Sequence, residues 1–142
     1  PIVFQIVGGG DVQIPDWARQ LQNVDWIGHV PRSAVRAYYQ QADVFLFPTI
    51  SDGFGLTQLE AMAHGLPVIA SQRCGDVVRH RENGLRLDRV TPDAIAEALN
   101  GCVHHPETLE AFSAEAQSSV AAFSPPSVVD ELIDVVAMHQ KA

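Results

Sequence analysis

The feature that most constrains the fold of this chain is the alternation of short apolar runs with helical patterns along its first half. The apolar runs occupy residues 2–7, 24–28, 44–47, 68–70 and 85–87, and helical patterns lie at 32–41, 56–64 and, more weakly, 76–81. Runs without a polar residue, such as 44–47 and 68–70, are typical of parallel strands covered by helices on both faces. The order therefore predicts an α/β fold, a Rossmann-like doubly wound parallel sheet with helices on both faces.

The second half changes character, because from Thr91 onward every periodic segment has the spacing of a helix. Prolines divide this part: Pro92 opens one helix, His105-Pro106 ends it and starts a second, and Ser124-Pro125-Pro126 precedes a third at 127–139. We therefore expect a helical C-terminal tail on a single domain that spans residues 1–142. The first strand begins within two residues of Pro1, so we expect the domain to lack its first βα unit.

Charge and composition exclude several classes of function. With 17 Asp plus Glu against 9 Lys plus Arg, the net charge is 9 − 17 = −8, which disfavours binding to nucleic acid or to an anionic membrane surface. No run of apolar residues is long enough to span a bilayer, and the start has no secretory signal pattern. Cys74 and Cys102 are too few for a disulfide framework. We expect a cytoplasmic protein, and peripheral membrane association of a longer parent stays open.

The most informative segment is 43–71, where a loop of sequence SDGFG joins an apolar strand to a helix that begins near Leu56. In open α/β sheets, ligands bind beyond the carboxyl ends of the strands, which is where this loop lies. Unpaired N–H groups in the first turn of a helix can hold phosphate, and Gly53 and Gly55 would let an anion approach the backbone. A nucleotide or another phosphorylated molecule is one interpretation, and a tight turn without a ligand is the other.

The two acidic residues near this turn also have two interpretations each. Glu60 completes the pattern Thr57-x-x-Glu60 of a capping box, in which it only satisfies a backbone donor. Alternatively, it lies about 40° around the helix from Leu56, half-buried at the edge of the apolar stripe, where its carboxylate needs a hydroxyl or cationic partner. Asp52 is either a turn or N-cap residue or a ligand contact. Spacing alone leaves these alternatives open.

The sequence of this segment resembles the donor-binding region of retaining glycosyltransferases of family 4, which have the GT-B fold of two Rossmann-like domains. The family signature is E-x7-E within a phrase like PS-x-x-E-G-F-G-L-x-x-L-E-A-M-A-x-G-x-P-V-I-A. This chain reads P-T-I-S-D-G-F-G-L-T-Q-L-E-A-M-A-H-G-L-P-V-I-A, with Asp52 and Glu60 eight positions apart. Only the first acid of the pair differs, an aspartate in place of a glutamate.

The resemblance extends over nearly the whole chain. The glycines at 8–10 are similar to the family's glycine turn, and VDWIGHV at 24–30 is similar to its V-x-F-x-G-x-V segment. Residues 75–87 are similar to P-E-x-V-x-x-G-x-x-G-x-L-V, with Asp76 at the position of a third acid. Here the chain departs from the family, because Gly75 stands for a proline and Gln72-Arg73 replaces Gly-Gly.

The resemblance implies a role for each matching residue. Glu60 would accept hydrogen bonds from the ribose of a nucleotide-sugar, a UDP- or GDP-sugar, and Asp52 would face the transferred sugar. Backbone N–H groups would hold the diphosphate, at Phe54, Gly55, Leu56 and Thr57. The loop after the second strand would border the base, through His29 and Val30. Asp52 and Glu60 are then the catalytic pair, and no cofactor or metal ion is implied.

The same resemblance implies that parts of the enzyme lie outside this chain. The acceptor-binding N-terminal domain and the arginine and lysine that clamp the diphosphate would be missing, so we expect the fragment alone to be inactive. In the strand order 3-2-1-4-5-6 the lost strand is central, and the exposed sheet or the helix at 127–139 could support a homo-oligomer. The parent would act in glycan or polysaccharide biosynthesis. The alternative is a non-catalytic nucleotide-binding or regulatory module with the same fold.

Other patterns carry weaker hypotheses. Gln13 stands where a dinucleotide fingerprint starting at Gly8 needs its last glycine, and no P-loop occurs. Cys102, His104 and His105 cluster near a helix end, but without a second ligand pair we expect solvated histidines rather than zinc. Asp52 and Glu60 could form the acid pair of a glycosidase, but the rest of the cleft is lacking. We expect four aromatic residues in the core or in helix packing: Trp17, Trp26, Tyr38 and Tyr39.

Overall fold

The computed structural model describes residues 1–10 and 13–130, which divide into two compact units between Tyr38 and Tyr39: unit 1 begins at Pro1 and unit 2 begins at Tyr39. Each unit contains its own parallel sheet, of two strands in unit 1 and three in unit 2. Within the part of the chain that the structure describes, we find no helix of the length and apolarity that crossing a membrane requires. The prediction that residues 1–142 form one domain lacking its first βα unit stays a prediction.

Unit 1 is built on strand β1 (Phe4–Val7) and strand β2 (Val24–Gly28), which pair in parallel around the short helix α1 (Asp16–Arg19). Helix α2 (Arg32–Gln41) follows and contains the boundary between the units. Strand β2 and helix α2 have the bounds that the sequence predicts. Of the described residues of this unit, only Ala18 is buried.

Of the two expectations for the tryptophans, core or helix packing, the core position is wrong for both. Trp17 is 69% exposed and Trp26 is 40% exposed, although the indole N–H of Trp26 donates to the carbonyl of Ala18 at 3.3 Å. The physical reason is that a two-stranded sheet with one short helix has little to place over a large side chain. Tyr38 and Tyr39 are partly buried.

Unit 2 is built on strands β3 (Phe45–Phe47), β4 (Val68–Ser71) and β5 (Gly84–Leu87), which pair in parallel in that order. The central strand β4 is buried at every position. Because successive side chains point to opposite faces of a sheet, two separate clusters form on it. Val68 and Ala70 pack with helix α3 (Leu56–Ala63), and Ile69 packs on the opposite face with helix α4 (Pro92–His104).

Covered faces on both sides of a parallel sheet confirm the predicted α/β class. Helix α5 (Pro106–Ser119) and a short 3₁₀ helix (Val120–Phe123) complete the cover, and residues 125–130 are helical again. The helical tail is confirmed within the described residues, and most of the helix expected at 127–139 lies outside them. Thr91 begins α4 as an N-cap, its side chain accepting the N–H of Ala94 at 3.3 Å.

The prediction of a helix at 76–81 is wrong, because this segment forms a series of turns. The buried side chain of Asn83 holds it: its amide oxygen accepts the N–H of Arg79 at 2.8 Å, and its amide nitrogen donates to the carbonyl of Val77 at 3.3 Å. Arg81 has a positive φ of 65°, which an α-helix does not allow. Side-chain hydrogen bonds from Asn compete with helical backbone bonds, and here they prevail.

Gly84, the first residue of β5, allows the closest backbone approach in this sheet. A Cβ atom built there would lie 2.1 Å from the carbonyl oxygen of Val68 on the neighbouring strand. The β4–β5 pairing therefore depends on glycine at this position.

Candidate functional site

The candidate site is built on the turn between β3 and α3, where the sequence predicts it. Gly55 is the N-cap of α3, and its left-handed backbone (φ 72°, ψ 59°) is one that glycine adopts at little cost. The space around it is closed as well, since a Cβ atom would lie 2.7 Å from Nε2 of Gln58 and 2.8 Å from Cε1 of Phe47. The turn therefore has one conformation, and only glycine fits it.

The helix that follows starts at a glycine, which has no side chain to cap it. Within residues 1–10 and 13–130 we find no side-chain cap hydrogen bond at Gly55, which is buried, and the first helical residue, Leu56, is 67% exposed. The first N–H groups of a helix have no partner inside it, and aligned peptide dipoles add a partial positive charge there. A helix N-terminus without a side-chain cap can hold an anion.

This geometry excludes two of the alternatives that the sequence leaves open. Because the helix begins at Leu56 with Gly55 as N-cap, Thr57 lies inside its first turn and cannot start a capping box with Glu60. Asp52 is also not the N-cap. The expectation that Glu60 is half-buried is wrong too, because its side chain is exposed beside the end of α2.

The turn is fixed from behind by the loop that follows β4. The carbonyl oxygen of Phe54 accepts two hydrogen bonds, one from Nε2 of Gln58 at 3.1 Å and one from the backbone N–H of Gly75 at 3.2 Å. The backbone N–H of Asp52 donates to the carbonyl of Arg73 at 2.9 Å. The loops after β3 and β4 are therefore joined at two points.

Gln58 is a residue of this site that sequence reasoning missed. It is fully buried in the first turn of α3, and among the described atoms its Oε1 has no hydrogen-bond partner. A glutamine on the same helix face as buried Ala61 and Met62 is a signal that the sequence does contain. Its role in the structure is to hold the Phe54 carbonyl.

A cavity of about 280 Å³ lies beside this turn at the carboxyl ends of β4 and β5. Polar groups line it, among them Ser71 and an ion pair in which Nη1 of Arg86 lies 2.7 Å from Oδ1 of Asp76. Asp76, which matches the family's third acid, is thus held by Arg86. Cys74 also lines the cavity, and burial raises the pKa of its thiol.

Glu60 has a partner that spacing could not indicate, because it lies 21 residues away. The hydroxyl of Tyr39 donates to Oε2 of Glu60 at 3.3 Å. Burial, followed by the charge of Glu60 and this hydrogen bond, raises the pKa of Tyr39 to about 12. The phenol is therefore a hydrogen-bond donor across the physiological pH range.

The residues expected to border a base lie in unit 1. His29 and Val30 follow β2, and the side chain of His29 packs against the backbone at Gly9, where a Cβ atom would lie 3.2 Å from that of His29. The backbone N–H of Gly8 donates to the carbonyl of Gly28 at 2.8 Å. The glycine turn and the loop after β2 are thus joined within this unit, and the role of His29 and Val30 stays a prediction.

Residues 1–10 and 13–130 bring no three His, Cys, Asp or Glu side chains together as a metal-binding group. In the cluster near the end of α4, Cys102 is buried, and burial raises the pKa of its thiol. Nδ1 of His104 lies 2.7 Å from the carbonyl oxygen of Asn100 in its own helix, and His105 contacts Glu107 at 3.2 Å.

Comparison with known proteins gives the family of the chain. A family model described as "Glycosyl transferases group 1" matches residues 1–105. D-inositol 3-phosphate glycosyltransferase of Rhodococcus jostii is 36% identical over 102 residues, which cover 70% of this chain and 23% of that enzyme.

Two solved structures share the fold. Sucrose-phosphate synthase from Thermosynechococcus elongatus has a TM-score of 0.77 at 25% identity, covering 96% of this chain and 38% of that one. The Anabaena protein HepE, solved in complex with UDP, has a TM-score of 0.77 at 19% identity, covering 96% of this chain and 41% of that one. The chain thus spans about two-fifths of the length of each of these two proteins. By the family match over most of its length, the chain belongs to the group 1 glycosyl transferases.

Proposed function

We propose that this chain is the donor-binding part of a retaining glycosyltransferase that moves a sugar from a nucleotide-sugar to an acceptor hydroxyl without a metal ion. The observation that carries the proposal is the uncapped N-terminus of α3, which begins at the left-handed Gly55 beyond the carboxyl end of β3. The solved complex of HepE with UDP supports a nucleoside diphosphate as the ligand class.

In this proposal backbone N–H groups bind the diphosphate and stabilise the negative charge that forms on it. The N–H groups of Gly55, Leu56 and Thr57, with Phe54 beside them, bind the diphosphate, and Glu60 accepts the ribose hydroxyls. In the transfer step the bond between the anomeric carbon and the diphosphate oxygen breaks, and its electron pair stays on the diphosphate. The acceptor oxygen bonds to the same face of the anomeric carbon, and its proton passes to the diphosphate. Donors fixed before the reaction stabilise the growing negative charge.

Asp52 contributes at the sugar in this proposal. Its exposed carboxylate is anchored through its backbone N–H to the loop after β4. A carboxylate accepts hydrogen bonds from sugar hydroxyls and stabilises positive charge at the anomeric centre. Its side chain is one methylene shorter than the family's glutamate, so its reach toward the sugar is shorter.

Acceptor binding and a basic clamp on the diphosphate belong, in this proposal, to parts of the parent protein outside these residues. Two consequences follow for the chain as it is. Nucleotide binding by the 142-residue chain is weak, on the order of 1 mM, because one helix N-terminus supplies most of the attraction. We expect no transfer of sugar by this chain alone, because in this proposal the acceptor is bound by those other parts of the parent protein.

A matched pair of glycine variants tests the diphosphate site. Gly55→Ala places a Cβ atom against Gln58 and Phe47, whereas Gly53→Ala meets nothing within 4 Å. NMR titration of the chain with UDP and GDP measures binding. We expect Gly55→Ala to weaken binding at least about tenfold and Gly53→Ala to leave it nearly unchanged, because only the first change disturbs the cradle of N–H groups.

Equal losses in the two variants would contradict the proposed cradle. The absence of any shift at residues 54–57 when the wild-type chain meets either nucleotide would overturn the proposed function itself. Thermal unfolding of both variants controls for global destabilisation.

A further inference from the structure

The ring of Tyr39 is held in place on two sides. It stacks on the ring of His64, with centroids 5.4 Å apart and planes 30° apart, and it meets the edge of Phe45 at 5.8 Å and 76°. Nδ1 of His64 lies 2.8 Å from the backbone carbonyl oxygen of Glu60, so His64 is itself fixed to α3. Aromatic pairs in such geometries are favourable beyond their buried area, so the phenol oxygen has a defined position.

The side chain of Glu60 lies on the exposed surface of α3, and each of its torsions has more than one allowed state. A fixed hydroxyl donor beside it favours the rotamers that keep the hydrogen bond. Selecting one orientation in advance removes part of the entropy cost of binding a ligand to that carboxylate.

We propose that Tyr39 is a positioning residue that holds the carboxylate of Glu60 in the orientation in which it accepts the ribose hydroxyls of the donor nucleotide. The inference rests on the proposed function. An ionised carboxylate has about four acceptor sites on its two oxygens, so one bond from a phenol leaves it able to accept a ribose hydroxyl. Tyr39 itself does not contact the ligand in this arrangement.

The decisive measurement is the preference of the protein for UDP over 2′-deoxy-UDP and 3′-deoxy-UDP, rather than affinity alone. A hydrogen bond from a sugar hydroxyl to a charged acceptor gives the wild-type chain a preference of about tenfold or more. Tyr39→Phe keeps the ring contacts and removes only the hydroxyl. We expect it to lower this preference to roughly threefold, because without this hydrogen bond the carboxylate of Glu60 is less well oriented toward the ribose.

Three further variants make the result specific. Tyr38→Phe is the matched control, and we expect it to keep the wild-type preference. Glu60→Ala should abolish the preference. Adding Tyr39→Phe to Glu60→Ala should change nothing further, because the tyrosine acts through the glutamate.

Spectrophotometric titration of the phenol gives a second readout that needs no nucleotide. The chain has two tyrosines, so Tyr38→Phe leaves Tyr39 alone to be followed. We expect it to ionise near its raised pKa of about 12, and we expect Glu60→Gln to lower that pKa. The proton is held more tightly in the folded protein, so this stabilisation is present below about pH 10 and is lost as the pH rises from about 10 to about 12.

The outcomes separate this inference from the function on which it rests. If Glu60→Ala abolishes the ribose preference and Tyr39→Phe leaves it at the wild-type value, the positioning role is wrong and the proposed function stands. If Glu60→Ala also keeps the preference, or if neither nucleotide binds, the proposed role of Glu60 fails, and the inference fails with it. An unchanged pKa of Tyr39 in Glu60→Gln would contradict the contact itself.

Discussion

Unit 1 and unit 2 are built from similar sequence patterns but differ in how far they bury them. Strand β1 of unit 1 and strand β4 of unit 2 both lie in mostly apolar runs, although β1 contains Gln5. In the structure, β4 is buried at every position, whereas β1 has exposed residues at its centre and Ile6 is 41% exposed. An apolar strand therefore does not determine its own burial.

The difference comes from what lies over each sheet. In unit 2, helices α3, α4 and α5 contribute residues to clusters on both faces of β4. In unit 1, the described residues form one helix that lies wholly inside the unit, the four-residue α1, followed by the first part of α2. Hydrophobic stabilisation is roughly proportional to the apolar area removed from water, so most of it belongs to unit 2. The candidate diphosphate turn lies in that better-packed unit.

The largest expected effect tests how tightly unit 2 is packed. Gly84→Ala places a Cβ atom 2.1 Å from the carbonyl oxygen of Val68, so β4 and β5 must separate. We expect a loss of about 3 kcal/mol or more in the free energy of unfolding, measured by urea denaturation. Gly101→Ala is the control: it lies inside α4 with nothing within 4 Å, and it should gain up to about 1 kcal/mol.

If Gly84→Ala lowered the free energy of unfolding by no more than an ordinary surface substitution does, the β4–β5 pairing would relax easily around the added methyl group. The contrast between the two units would then be smaller than the packing indicates.

The second prediction compares the two units directly with one substitution. Ile69→Ala removes a side chain that is 1% exposed, and we expect it to cost about 2–5 kcal/mol. Ile6→Ala removes the same atoms from a position that is 41% exposed, and we expect it to cost less than about 1 kcal/mol. Both variants are measured by urea denaturation at several protein concentrations.

If Ile69→Ala and Ile6→Ala lowered the free energy of unfolding by similar amounts, the two units would not differ in packing as we describe. A cost of Ile6→Ala that grows with protein concentration would indicate that a second copy covers β1, as the expected homo-oligomer requires.

The smallest expected effect concerns helix starts. Thr91 caps α4 with its side chain, whereas the N-cap of α1 is Pro15, which has no side-chain cap. We expect Thr91→Ala to cost about 1 kcal/mol and Thr91→Ser to cost little, because serine keeps the oxygen that accepts the N–H of Ala94. Thermal unfolding of both variants checks this. Equal losses would mean that the methyl group of Thr91, rather than its hydroxyl, stabilises the helix.

Local sequence was sufficient where local physics decides the structure. Strand β2 and helix α2 have the predicted bounds, and α3 begins at Leu56, because apolar periodicity and glycine signals are read within a few residues. The sequence failed at 76–81, where the side chain of Asn83 reaches back four residues to replace helical bonds with turns. Trp17 was misplaced because its burial depends on neighbours from elsewhere in the chain.

The candidate site shows the same division. The turn at Gly55 was predictable, since strand, glycine turn and helix are contiguous. The hydroxyl of Tyr39 on Glu60 was not, because it joins α2 to α3 across 21 residues. Gln58 was predictable in part. The sequence shows a polar residue on the apolar face of α3, but only the fold shows that its side chain donates to the carbonyl of Phe54.

The close approach of Gly75 to Phe54 has a consequence for chimeras with relatives. Where the family has proline, which lacks an N–H, this chain has a glycine whose N–H donates to the carbonyl of Phe54 at 3.2 Å. A Cβ atom at position 75 would lie 2.6 Å from the ring of Phe54. A relative's segment that carries proline therefore cannot be grafted here by itself. The family pattern has the same phenylalanine at position 54, so proline at position 75 requires a different path of the loop after β4.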